Sequence, residues 1–290
     1  MGDFSDNQRR ITFFSKKSTT CPVCDTEFFR EDLLSGRGRL IAGPLTMELR
    51  RLYEPSKKYG AVYPLIYPIT VCPSCLYAAY PDDFLRPSDS ALPVLSAQIS
   101  ERKKYMESLF PDLSFVDNRR LEEGIASYIL AMMCYEHFDK DFAPTFKMGL
   151  SALRAAWLSL DLQTVTGDES WNLLARHLYR KARFLYLRAV ELEQKAKEVF
   201  SRQKNMGPDL DKNYGYDGVL YLAGILDYRY GPRENKEQRI ASLKKAKQIV
   251  ARIFGMGRAS KNKPQVLLDN ARDIYDAMRA ELKEMGVEGD

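Results

Sequence analysis

Two CPxC pairs carry the first legible chemistry: Cys21-Pro22-Val23-Cys24 and Cys72-Pro73-Ser74-Cys75. Four thiolates fill the tetrahedral shell of a structural Zn2+ and leave no position for a catalytic water. The two-residue gap lets backbone N–H groups point at the first sulfur, and the proline stiffens the turn. A dithiol redox couple or two unrelated pairs are the alternatives. A redox CxxC, however, opens a helix in a βαβ unit, and neither pair does. Zn2+ is the expected cofactor, with Cys21, Cys24, Cys72 and Cys75 as its ligands. Its binding contributes folding free energy on the order of 10 kcal/mol at such sites.

Little else suggests a reaction. Two histidines are sparse material for acid–base work. Cys134 and His137 stand at i and i+3, a spacing that could present two ligands on one helical face. With no other histidine nearby, a buried thiol and an ordinary imidazole are expected. His177 is expected to pack beside an apolar stripe, and Asp82-Asp83 to form a solvated turn or cap. No GxxxxGK[ST], GxGxxG, GxSxG or HExxH pattern occurs. An active site could form only between the two parts of the chain, so the expectation is a protein that is not an enzyme.

The ligands need elements to hold them. Residues 1–87 contain four of the five cysteines and eight of the 14 prolines. Short β-type runs recur there: Ile11 to Phe14, Thr26 to Phe29, Arg39 to Ala42, and Ala61 to Val71, the last broken by Pro64 and Pro68. The 47 residues from Asp25 to Val71 are long for a zinc ribbon and imply an insertion. A short helix from Leu45 to Tyr53 fits inside it. Phe28 and Tyr77 are placed to pack beside the metal.

Residues 88–286 read as helices. Leu92, Leu95, Ile99, Met106 and Leu109 trace one face. Further helices carry Leu121 to Tyr135 and Phe142 to Leu160. The longest has a 3-4 rhythm from Trp171 to Val199, with Phe184 and Leu187 suggesting burial on a second side. Three more follow: Val219 to Tyr230, Ile240 to Ile253, and Leu267 to Leu282. Antiparallel helices with small residues around Trp157 (Ala152, Ala155, Ala156) are similar to tetratricopeptide arrays, without a clean 34-residue repeat. The fold class is mainly α: a small zinc-ribbon-like module, then a tetratricopeptide-like antiparallel helical array.

At 290 residues, 45% hydrophobic and 29% charged, the composition is that of a globular protein. Net charge is +5, but Arg239 to Lys263 holds eight basic residues and no acidic one. Lys244, Lys245, Lys247, Arg252, Arg258, Lys261 and Lys263 are thus candidates for binding phosphates or an acidic partner. The bland alternative is the solvated face of an amphipathic helix. Met1 to Arg10 lacks the apolar core of a signal peptide, and no run reaches the roughly 20 apolar residues of a membrane span. A cytoplasmic setting is expected, where paired CxxC motifs bind metal more often than they form disulfides.

CPVC with Phe28 four residues on, then Tyr59, Tyr63 and Tyr67, then VCPSCLYAAYPDDF, resembles a bacterial family, domain-of-unknown-function family 2225. Its second knuckle is typically CPxCGYAA. Here Leu76 replaces the glycine, while Tyr77-Ala78-Ala79 and Asp82-Asp83-Phe84 match. The resemblance implies the same two-part architecture and no particular reaction. The expected function is therefore a zinc-binding scaffold whose helical array binds a partner protein. The alternative is a nucleic-acid-binding or transcription-linked zinc-ribbon protein using the Arg239–Lys263 stretch.

Overall fold

The structure, a computed structural model, describes residues 11–254 and 263–287. Turn residues and prolines in the first part keep its strands short. They pair as four two-stranded antiparallel sheets: β1 (Thr12–Phe14) with β4 (Glu31–Leu33), β2 (Thr19–Thr20) with β3 (Glu27–Phe28), β5 (Ile41–Leu45) with β6 (Arg51–Glu54), and β7 (Thr70–Val71) with β8 (Ala78–Ala79). The β2–β3 and β7–β8 ribbons each carry one CPxC pair at their turn, closing on Thr20 opposite Glu27 and Val71 opposite Ala78.

The second part is helical: α1 (Pro81–Phe84), α2 (Ala91–Ala97), α3 (Ile99–Leu109), α4 (Leu121–Tyr135), α5 (Pro144–Thr166), α6 (Glu169–Gln194), α7 (Gly215–Tyr230), α8 (Lys236–Ala251) and α9 (Gln265–Glu284). Local signals set their ends. Pro144 opens α5, Gly167 closes it at φ +73°, Asp168 caps α6 by accepting from the Ser170 N–H, and Asn235 caps α8. From α4 to α9 each helix packs on the next in chain order, as stacked helical hairpins do.

Helix α4 is buried almost all round because the β7–β8 ribbon covers one side and α5 the other. Gly124 permits the closest approach: a Cβ there would lie 3.1 Å from the Cα of Ile66. The core that contains Cys21, Phe28, Tyr77 and Phe84 is continuous with that of Leu130, Trp157 and Tyr186.

Four sequence expectations are corrected. Leu45 to Tyr53 is not a helix but the end of β5, a tight turn and β6. The turn buries Glu48 against four side chains, with Leu49 at φ +60° and fully buried. The Leu92–Leu109 helix is broken at Gln98, whose side chain is held by His137 Nε2 at 2.9 Å. Helix α6 stops at Gln194 rather than Val199. Ala196 turns left-handed (φ +50°), and the Lys197 and Ala196 N–H groups bond back to Leu192 and Glu193, a Schellman end without glycine. Phe184 has no second buried side: it is 64% exposed.

Candidate metal centre

The two knuckles are built alike. Cys21 N–H donates to the Thr26 carbonyl (3.0 Å) and Asp25 N–H to the Cys21 carbonyl (3.0 Å). In the second, Cys72 N–H donates to Tyr77 O (2.9 Å) and Leu76 N–H to Cys72 O (3.0 Å). Each turn needs a left-handed residue after its second cysteine, and Asp25 (φ +56°) and Leu76 (φ +57°) supply it. That backbone explains why glycine suits the position where this chain carries Leu76.

Packed face to face, the ribbons bring the four sulfurs within 4.8 Å of one another. Cys21 Sγ lies 3.6 Å from Cys75 Sγ, and Cys24 Sγ lies 3.6 Å from Cys72 Sγ. All four are free thiols, far outside the roughly 2.05 Å of a disulfide. Tetrahedral S4 coordination with metal–sulfur bonds of about 2.3 Å places sulfurs about 3.8 Å apart, so the donor set fits a metal ion. Cys21, Cys72 and Cys75 are buried and Cys24 half-buried. The Val23 N–H donates to Cys21 Sγ at 3.4 Å.

Crowding divides the thiols electrostatically. Hydrogen bonds from Cys21 and then Cys75 hold the Cys72 thiol down at about 2, while Cys21, which keeps its proton in the hydrogen bond to Cys72, is pushed up to about 12. Cys75 is raised as well, first by Cys21 and then by Cys72. Four thiolates cannot share this volume alone. A metal ion held at this site would offset the charge of the thiolates around it.

The surroundings are apolar and ordered. Phe84 packs on Phe28 at 5.8 Å, edge to face, and on Tyr77 at 4.8 Å. The Tyr77 hydroxyl donates to the Phe84 carbonyl at 3.1 Å. Cys134 stays outside the metal group; its thiol accepts from Ala78 N–H at 3.4 Å, and burial pushes it up to about 11. His137 is held by Gln98 instead, and His177 is exposed rather than packed. The Asp82-Asp83 pair also departs from expectation. Asp82 is exposed, but Asp83 is buried between the Lys147 ammonium and the Tyr135 hydroxyl, which donates to it at 2.6 Å.

One residue beside the centre was not foreseen. Arg102 is fully buried, donates through Nη2 to the Cys75 carbonyl at 3.2 Å, leaves Nη1 without a partner, and pairs with no carboxylate among the described residues. Its only sequence signal is a lone cation on the apolar side of α3.

The basic stretch lies apart. Lys244 and Lys245 are exposed on α8; Lys247 is half-buried beside the Tyr275 ring; Arg252 is exposed; Lys263 pairs with Asp217 at 2.9 Å. Arg239 faces inward, 1% exposed and held by Glu281. Arg258 and Lys261 lie outside the described residues. No described helix is long and apolar enough to cross a membrane.

A family model described as "Uncharacterized protein conserved in bacteria (DUF2225)" matches residues 14–278. An "Uncharacterized protein" of Borreliella burgdorferi is 43% identical over 282 residues, covering 96% of this chain and 99% of its own. No solved structure matches. Both knuckles and all the helices from α1 to α8 fall inside the matched span, and the chain belongs to the DUF2225 family.

Proposed function

We propose that this protein is a non-enzymatic zinc-binding scaffold that docks a partner protein on a tetratricopeptide-like helical array. Four thiolates at tetrahedral spacing favour zinc, with iron the other metal that accepts such a shell. A closed shell offers no open coordination site for substrate. Its work is to clamp the β2–β3 ribbon to the β7–β8 ribbon, which packs on α4.

The observation that carries docking is an apolar cleft between the cysteine ribbons and the loop that joins α3 to α4. It measures about 590 Å³ and is lined by Phe14, Phe28, Phe29, Pro73, Phe115 and Val116. Phe14, Phe29 and Val116 are 38%, 55% and 68% exposed. Exposed apolar side chains gathered in one cleft favour contact with an apolar protein segment.

Elemental analysis of the purified chain, with affinity capture from its host by wild type and F29D/V116D, tests both halves. One equivalent of zinc and a protein recovered by wild type alone are expected. Iron, or no metal with unchanged melting, overturns the zinc half. Equal recovery by both chains, or by neither, overturns the docking half.

A further inference from the structure

Helix α6 presents a second surface, made of charge. Leu173, Arg176, His177, Arg180, Lys181, Phe184 and Arg188 are all exposed. Their spacing of three and four residues puts them on one continuous stripe, about 22 Å long at 1.5 Å per residue. From Ser170 to Val190 the chain has five Arg and Lys residues and no acidic one. Two of the five are engaged: Arg183 with Asp227, and Arg188 with Glu191. Arg176, Arg180 and Lys181 pair with no carboxylate among the described residues. Arg183 also reaches Ser242 of α8 at 3.4 Å, so the stripe borders the helix that exposes Lys244 and Lys245.

We propose that this face of α6 binds single-stranded nucleic acid. Three unpaired cations in a row complement a phosphate backbone, and two are guanidinium groups, whose forked donors match phosphate oxygens. Phe184, 64% exposed within the stripe, offers a ring on which an unpaired base stacks. A duplex keeps its bases stacked and cannot use that ring. An anionic membrane is disfavoured on geometry: a helix lying on a bilayer buries an apolar face in it, and the apolar face of α6 (Leu178, Ala182, Leu185, Ala189) is buried in the protein core.

The test uses the full chain and fluorescein-labelled 20-nucleotide oligo-U and oligo-dT, with a 20-base-pair duplex and phosphatidylserine vesicles as competing probes. Both single strands are expected to bind at about 50 mM salt. Binding should weaken roughly 15- to 20-fold by about 200 mM, the dependence of three phosphate contacts on a single strand. R176E/R180E/K181E should lose at least about tenfold and flatten the salt dependence. F184A should lose at least about fivefold and leave that dependence unchanged, and R180Q should lose a smaller part of both. No oligonucleotide binding at low salt, full affinity in the triple variant, or tighter binding to the duplex or the vesicles overturns the proposal.

Discussion

Glu48 and Trp157, 109 residues apart, meet in the core: the indole Nε1–H donates to Glu48 Oε2 at 2.7 Å. Tyr179 donates to the same oxygen at 3.0 Å, and Arg229 to Oε1 at 2.8 Å. Tyr179 stacks on Tyr230 with centroids 4.2 Å apart. A two-stranded hairpin is marginal alone. The β5–β6 hairpin, mostly exposed along its strands, is therefore fixed by its tip, where α5, α6 and α7 converge. E48A should cost about 1–3 kcal/mol, because it leaves the Trp157 and Tyr179 donors without an acceptor in the core, whereas the Arg229 guanidinium, 40% exposed, can turn to water. E48Q keeps an acceptor and should cost about half as much. Urea unfolding of the metal-loaded protein measures both; an E48A loss under about 0.5 kcal/mol would mean that the tip is not docked.

The cysteine cluster and the order of the helices were legible because both leave local marks: a CPxC spacing, caps, and a 3.6-residue rhythm. What stayed hidden depended on partners far away in sequence. The Leu45–Tyr53 segment has a helical arrangement of apolar residues, yet Glu48 has no reason to be buried until Trp157, Tyr179 and Arg229 are assembled around it. Asp83 looks like a solvated cap until Lys147 and Tyr135 arrive. The basic stretch shows the converse: contiguous charge in sequence, but Arg239 turned inward to Glu281. The stripe on α6 leaves no contiguous run in the sequence, because core residues separate its cations.

Removing one ligand tests the centre. C72S should release the metal and lower the melting temperature sharply, since the remaining three sulfurs cannot close the shell. C134A changes a thiol just as deeply buried but outside the group. It should keep a full metal equivalent and lose about 1 kcal/mol. Metal loss in C134A, or retention in C72S, measured by elemental analysis, would reassign the ligands.

Stability should depend on pH through Glu281. Two hydrogen bonds from Arg239, at 2.7 and 2.8 Å, hold its carboxyl below the usual 4.5. A carboxyl depressed in the folded state contributes stability that is fully present above its unfolded pKa and lost as pH falls through the folded one. E281Q should therefore lie about 2 kcal/mol below wild type near neutral pH. The gap should close as pH drops below about 4. A gap that is constant with pH would mean that the Arg239 contact does not depend on the charge of Glu281.

Arg102 bears on the charge of the centre itself. A divalent ion with four thiolates carries a net charge of −2, whereas without the ion Cys21 and Cys75 hold their protons more firmly than an ordinary thiol and the cluster carries less negative charge. A buried guanidinium without a carboxylate is costly in the second state and compensated in the first. R102M should therefore weaken zinc affinity roughly 10- to 100-fold, the usual effect of losing an outer-shell partner. It should also shrink the rise in melting temperature that zinc produces, because the metal-free variant no longer holds an uncompensated charge. R239M, which removes an equally buried arginine whose charge is already matched by Glu281, should lose stability with zinc affinity unchanged. Chelator competition separates the two: equal affinities for R102M and wild type would leave Arg102 as a packing residue only.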